Sequence, residues 1–195
     1  MSRGRRRLTP IPDDATLVDE VLTGSPSAFS VLVKRYTDRV YRVVAAIVGD
    51  SAAADDTVQE TFFRAYVGLA SFSRRSQFRT WLYRIALNEA YRTRRSRTRL
   101  RERPFSQLAE ESMRPVLERV ATADAESGED PRRRVLLLLE SLPREYREAM
   151  VLRHVDGLSY REMAEVLGTT AGTVGSWLHR ARESLRERVE KRESD

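Results

Sequence analysis

The sequence predicts an all-α protein made of two small helical domains on a flexible tether, and three observations carry that expectation. Apolar residues recur at three- and four-residue steps along most of the chain. No segment alternates apolar and polar residues as a half-buried strand would. Residues 104–130 break the helical pattern with Pro104, Pro115 and Gly128, and they hold 7 acidic against 2 basic side chains. A length of 195 residues suits one domain or two small ones.

The elements follow in order. Residues 1–12 hold Arg3, Arg5, Arg6 and Arg7 and are expected to be a disordered basic tail. A short helix comes next, with Leu17, Val18, Val21 and Leu22 inward and Gly24 as its stop. Residues 27–48 form an amphipathic helix on Phe29, Leu32, Val33, Tyr36, Val40, Val43, Val44 and Ile47, ended at Gly49. Helices at about 52–70 and 77–98 complete a four-helix bundle, the N-terminal domain at 13–100. Residues 101–130 are expected to be a linker with one short helix around Val116, Leu117 and Val120. Periodicity returns after Pro131, so 131–195 reads as a second helical domain.

Composition excludes several classes. Without cysteine there is no disulfide scaffold, thiolate zinc site, cysteine nucleophile or redox-sensing thiol, and two histidines supply imidazole metal chemistry poorly. No metal or cofactor is expected, and no acidic metal cluster or nucleophile and base pair marks an enzyme. No apolar run approaches the roughly 18–20 residues that span a bilayer, and no apolar segment follows the arginines at the start. A soluble, cytoplasmic protein is the expectation. The net charge of +6 is concentrated: residues 91–103 alone hold seven arginines against one glutamate. Such a block is either a solvated surface or the footprint of a polyanion partner.

Three helix faces carry the candidate chemistry. On the 52–70 helix, Val58, Phe62, Ala65 and Leu69 form the inward stripe. Asp55, Asp56, Gln59, Glu60, Phe63 and Val67 fall on the other side, where a solvated face would not need Phe63 and Val67 among carboxylates. Either the helix is sandwiched within its own bundle, or it offers a docking surface to a basic, partly apolar partner. On the 77–98 helix, Phe78, Leu82 and Ile85 face inward, while Gln77, Trp81, Arg84, Asn88, Tyr91 and Arg95 share one flank. Arginine neutralises phosphates, amides read base edges, and Trp and Tyr stack on unpaired bases. The preceding loop, with Ser71, Ser73, Arg74, Arg75 and Ser76, is small and basic enough to hold an extruded base. An ordinary polar flank with Trp81 leaning into the core is the alternative.

The third face is a helix-turn-helix. Ser159 with Glu162 forms a capping box, Met163, Val166 and Leu167 pack inward, and Gly168 makes the turn. The next helix buries Val174, Leu178, Ala181, Leu185 and Val189 and turns Gly172, Ser176, His179, Arg180 and Glu183 outward. A structural helical hairpin would be the non-functional alternative.

The runs 55–62, 76–88, 142–148 and 157–164, which include Asp55-Asp56, Arg79-Thr80-Trp81-Leu82, Leu142-Pro143 and Gly157-Leu158-Ser159-Tyr160, resemble the extracytoplasmic-function (ECF) class of bacterial RNA polymerase sigma factors. The motifs stand in the family's order and span about 28–98 and 131–190. The resemblance implies a non-catalytic subunit that binds core RNA polymerase, directs it to promoters and helps melt the −10 element. It implies that Asp55, Asp56, Gln59, Glu60 and Phe63 dock on the clamp helices of the β′ subunit. Arg74, Arg75, Ser76, Gln77, Trp81, Arg84, Asn88 and Tyr91 would capture the −10 element. Ser159, Tyr160, Arg161, Thr170, Gly172, Thr173, Ser176, Trp177, His179 and Arg180 would serve the −35 element, in a domain that also touches the β flap. The acidic linker would thread toward the RNA exit path, and an anti-sigma factor is a common partner in the class. Gly175, Trp177 and Arg92 depart from the family pattern, and Trp177 either packs at the domain edge or touches the DNA backbone. The rival reading is a stand-alone helix-turn-helix regulator whose N-terminal bundle senses a ligand or dimerises.

Overall fold

A computed structural model describes residues 12–101 and 131–194 of the chain. Over the first stretch run α1 (Asp14–Leu22), α2 (Pro26–Val48), α3 (Ser51–Gly68) and α4 (Phe78–Arg101), with a short 3-10 turn at Leu69–Ser71. Over the second run α5 (Pro131–Glu140), α6 (Arg144–Val155), α7 (Tyr160–Leu167) and α8 (Ala171–Ser194). No strand occurs among the described residues, as the periodicity requires. The expected basic tail, and the linker with its short helix at 116–120, lie outside the described residues. None of the described helices is long and apolar enough to cross a membrane.

Local chemistry sets the helix ends. Asp13 caps α1 by accepting the Thr16 N–H at 2.8 Å, and Asp50 does the same for α3 through Ala53. Pro26 occupies the first turn of α2, where its missing donor costs nothing. Gly49 closes α2 with φ at 74°, a left-handed conformation that penalises a side chain.

Helix α2 is the hub of the molecule. Of its expected stripe, Phe29, Leu32, Tyr36, Val40, Val43, Val44 and Ile47 are buried and Val33 is half-buried. Each such side chain withdrawn from water contributes about 1.5–3 kcal/mol before chain entropy is set against it. Helix α3 buries Val58, Phe62 and Ala65 as expected, with Leu69 of the following 3-10 turn and with Ala54, Thr57 and Thr61. The Thr57 and Thr93 hydroxyls meet at 2.9 Å between α3 and α4.

In the second stretch the capping box forms: Ser159 Oγ accepts the Glu162 N–H, and a Glu162 oxygen accepts the Ser159 N–H at 2.9 Å. Gly168 turns the chain with φ at 66°. Met163 and Val166 are buried opposite Val174, Leu178 and Ala181 of α8, while Leu167, Leu185 and Val189 are half-buried. The guanidinium of Arg147, itself buried, donates to the carbonyls of Leu139, Glu140 and Leu142 and so ties α6 to the end of α5.

The two sets of helices pack on each other. Val151 and Leu152 of α6, Leu158, and Met163 of α7 join the core formed by α1 to α4. This explains why α4 buries more than Phe78 and Leu82: Tyr83, Ala86, Leu87, Ala90 and Tyr91 are buried too. Ile85, expected inside, is half-buried.

Candidate nucleic-acid interface

The outer face of α3 is open to solvent. Asp55, Asp56 and Gln59 are exposed, and Phe63 and Val67 stand 63% and 65% exposed beside them. A helix sandwiched within its own bundle would cover these side chains, so that alternative fails. Glu60 differs from its neighbours. Its carboxylate takes Arg64 at 2.8 Å and Arg92 at 3.4 Å, whereas neither aspartate forms an ion pair among the described residues.

Between α3 and α4 the chain builds an aromatic wall. Phe72 and Trp81 stack at a tilt with centroids 5.0 Å apart, and Phe78 lies 5.7 Å from Trp81. Gly68 lies beside this packing, where a Cβ would meet the Trp81 ring at 3.5 Å, an ordinary contact. Trp81 is half-buried, leaning on the core while keeping part of its ring accessible. The 71–77 loop is anchored by Arg74, whose backbone takes the left-handed region at φ 57°. Its guanidinium donates to both oxygens of Asp19 on α1. Arg75 and Gln77 are exposed and Ser76 is half-exposed.

This loop and α1 enclose a cleft of about 580 Å³, walled by Phe72, Phe78 and Tyr36 with Ser76 and Gln77 at its side. Asp14 lines it too, accepting from Arg35 and from the Tyr36 hydroxyl. Burial, then the bond to Asp14, pushes the Tyr36 hydroxyl far above its ordinary pKa, so it remains a proton donor. An aromatic, hydrogen-bonding cleft of this kind matches what an unpaired base requires.

Further along α4 the expected flank divides. Asn88 and Arg95 are exposed. Arg84 is exposed but donates to the backbone carbonyl of Glu165 in α7. Tyr91 is buried: the Arg144 guanidinium lies 4.2 Å above its ring, and its hydroxyl has no hydrogen-bond partner among the described residues. The expectation of an accessible Tyr91 is therefore corrected, because α6 covers the position. Burial, ahead of the nearby Glu148 charge, pushes its hydroxyl up to about 12.

On the helix-turn-helix, Ser159, Tyr160, Arg161, Thr170, Gly172, Ser176, His179 and Arg180 are exposed, and Thr173 is half-exposed. Thr170 Oγ1 accepts the Thr173 N–H at 3.1 Å and so caps α8. His179 meets Glu183 at 3.2 Å on the next turn. Trp177 is half-buried against the core, which favours packing over a backbone contact for that side chain. Gly175 lies under the Tyr160 ring, where a Cβ would meet Cε2 at 3.6 Å.

Sequence reasoning missed Tyr83, Arg79 and Asp156. Tyr83 donates to Asp156 and Arg79 to Glu162, both across the two sets of helices. A tyrosine one position beyond an apolar stripe and an aspartate ahead of Gly157 give no signal of each other's proximity.

A helical bundle with an aromatic cleft, joined to a helix-turn-helix, defines an all-α protein of the DNA-reading class. The sigma-70 region 2 family model matches residues 32–100, and the sigma-70 region 4 model matches 132–185. The ECF RNA polymerase sigma-E factors of Salmonella typhimurium (strain LT2) and Escherichia coli (strain K12) are each 39% identical, over 91% of this chain and 94% of theirs. That of Haemophilus influenzae is 35% identical over 91% and 95%. Among solved structures, CnrH in complex with the cytosolic domain of CnrY superposes with a TM-score of 0.69 at 27% identity, covering 91% of this chain and 97% of that one. The sigma factor RpoE in complex with the anti-sigma factor NepR from Bartonella quintana gives 0.62 at 25% identity, over 83% and 96%. The chain belongs to the ECF RNA polymerase sigma factors. It is a transcription initiation factor that binds core RNA polymerase and promoter DNA, and the stand-alone regulator falls away.

Proposed function

We propose that this sigma factor divides its work among three surfaces, without catalysis of its own and in the cytoplasm. The α3 face of Asp55, Asp56, Gln59 and Phe63, with Glu60 at its edge, docks on the β′ clamp helices. The aspartates steer the encounter and Phe63 anchors it. The 71–77 loop, the cleft and the flank of Gln77, Trp81, Arg84 and Asn88 capture −10 bases once the duplex opens, offsetting an unstacking cost of a few kcal/mol. Tyr91 supports that flank from beneath rather than stacking on DNA. Helix α8, through Gly172, Thr173, Ser176, His179 and Arg180, lies in the −35 major groove, with Ser159, Tyr160, Arg161 and Thr170 placed for backbone contacts. Since two structural relatives were solved bound to partners, one of them an anti-sigma factor, this chain takes such a partner as well.

One observation carries the reading: Phe63, 63% exposed on a face whose Asp55 and Asp56 are exposed and form no ion pair among the described residues. Replacing Asp56 and Phe63 with alanine should abolish co-purification with core polymerase while the circular-dichroism spectrum is unchanged. Retained binding would sink the docking assignment.

A further inference from the structure

The 71–77 loop is fixed at both ends and fastened at one point between them. At its start the Phe72 N–H donates to the Leu69 carbonyl at 3.0 Å, and the Phe72 ring packs on Phe78 and Trp81. At its end Phe78 is buried, and the Trp81 N–H donates back to the Gln77 carbonyl at 3.2 Å. Between them Ser73, Arg74, Arg75 and Gln77 are exposed. Among the described residues, only Arg74 sends side-chain hydrogen bonds from 73–77 to another helix. Its Nη1 donates to one Asp19 oxygen at 3.1 Å and its Nη2 to the other.

The backbone at Arg74 shows that this pair shapes the loop. Among the described residues it is the one non-glycine residue at positive φ, at 57°. A side chain disfavours that region, and such a conformation persists where its surroundings impose it. Asp19 is a firm partner, because Leu17 and Val18 just before it are 1% exposed and seat α1 in the core. The bond from Arg74 holds the Asp19 carboxyl below the ordinary carboxylate range, so it is ionised at neutral pH. Val18, Arg74, Ser76 and Gln77 all line the cleft, and Asp19 is not part of that lining. A guanidinium already bound to both oxygens of one carboxylate has less to offer a phosphate. Arg75, the next residue, is exposed and pairs with no carboxylate among the described residues.

We propose that Asp19 is a positioning residue for −10 capture: it fastens the 71–77 loop to α1 through Arg74 and so keeps Ser76 and Gln77 on the cleft, without touching DNA itself. The proposal rests on the assignment of this loop to −10 capture. Arg74 is then the fastener, and Arg75 is the loop's cation for a phosphate. An exposed ion pair contributes little to global stability, so its loss acts on the loop rather than on the fold.

The test uses full-length variants in holoenzyme, with promoter opening read by permanganate. Asp19→Asn should lower opening by about three- to fivefold, the range an exposed ion pair controls, while affinity for core polymerase is unchanged. Arg74→Gln should lose about as much, and the double variant no more than either single one. The exchanged pair Asp19→Arg, Arg74→Asp should recover most of the loss, since aspartate tolerates the left-handed backbone. Arg75→Gln should flatten the salt dependence of promoter binding by about one counterion, and Arg74→Gln should leave that slope as it is. Opening by Asp19→Asn at or above the wild-type level overturns the proposal, because that change would free an Arg74 that binds phosphate. An exchanged pair weaker than both single variants overturns it as well, as does a parallel loss of polymerase affinity, which marks a general defect. Gln77→Ala separates the two ways of failing. Impaired where Asp19→Asn is not, it shows a loop that captures DNA without this fastener; if neither is impaired, the assignment of the loop itself has failed.

Discussion

Glu162 divides its carboxylate between two partners, with one oxygen accepting the N–H and hydroxyl of Ser159 at 2.9 and 2.7 Å and the other accepting from Arg79. Burial raises this carboxyl's pKa, but the Ser159 bonds and the Arg79 charge outweigh burial and hold it below the usual glutamate range. A carboxyl depressed in the folded state adds stability above its unfolded pKa and loses it as pH falls through the folded value. Glu162→Ala should therefore cost about 1 kcal/mol near neutrality, the scale of a lost cap. The deficit should shrink as pH falls from the ordinary glutamate range through the lower folded pKa. Thermal unfolding of both proteins across that range checks this, and a gap that persists at the acid end would contradict it.

The exposed α3 face separates rate from anchoring. Asp55→Asn with Asp56→Asn should slow association with core polymerase and flatten its salt dependence, because both carboxylates are exposed and act over a Debye length of about 10 Å. Phe63→Ala should instead speed dissociation, costing on the order of 2 kcal/mol of binding. With the ring 63% exposed in the free chain, its loss should change folding stability by no more than about 0.5 kcal/mol. Stopped-flow fluorescence with labelled core enzyme resolves the two rates.

Asn88 tests strand capture without disturbing the core. Its side chain is exposed on α4, away from the aromatic wall of Phe72, Phe78 and Trp81. Asn88→Ala should leave polymerase binding intact and weaken promoter opening by about 1–3 kcal/mol, the value of a good amide contact to a base. Permanganate reactivity of thymines around −10 reports it directly. Unchanged reactivity would remove Asn88 from the strand-capturing surface.

Periodicity made most of this molecule legible. The stripe of Val58, Phe62, Ala65 and Leu69 follows from a 100° advance per residue, and its burial is independent of what lies beyond the bundle. The capping box at Ser159 and the turn at Gly168 are local chemistry and fell where the residues put them. Tyr91 was misplaced for the opposite reason. Its accessibility depends on α6, which lies about fifty residues further along the chain, and an amphipathic pattern does not say which neighbour covers a polar flank. The Tyr83–Asp156 contact was invisible on the same ground, since each residue taken alone is an ordinary polar side chain. Trp177 sits between the cases. Its angle near the edge of the α8 stripe already allowed packing, and it is half-buried.

Gly175 gives the sharpest test of the duplex-reading helix. A glycine inside α8 costs about 1 kcal/mol relative to alanine in an ordinary helix. A Cβ at this position would meet the Tyr160 ring at 3.6 Å, an ordinary contact that displaces nothing. Gly175→Ala should therefore stabilise the protein by roughly that amount, raising Tm by about 2–4 °C in a chain of this size. It should leave the −35 sequence chosen in promoter selection unaltered. Gly175→Lys places a long cation where the Tyr160 ring lies, beside the exposed Arg161. It should move Tyr160, add a phosphate contact and steepen the salt dependence of DNA binding by about one counterion. If the alanine variant changed the selected sequence, close approach of the α8 backbone to DNA, rather than room for Tyr160, would be what the glycine provides.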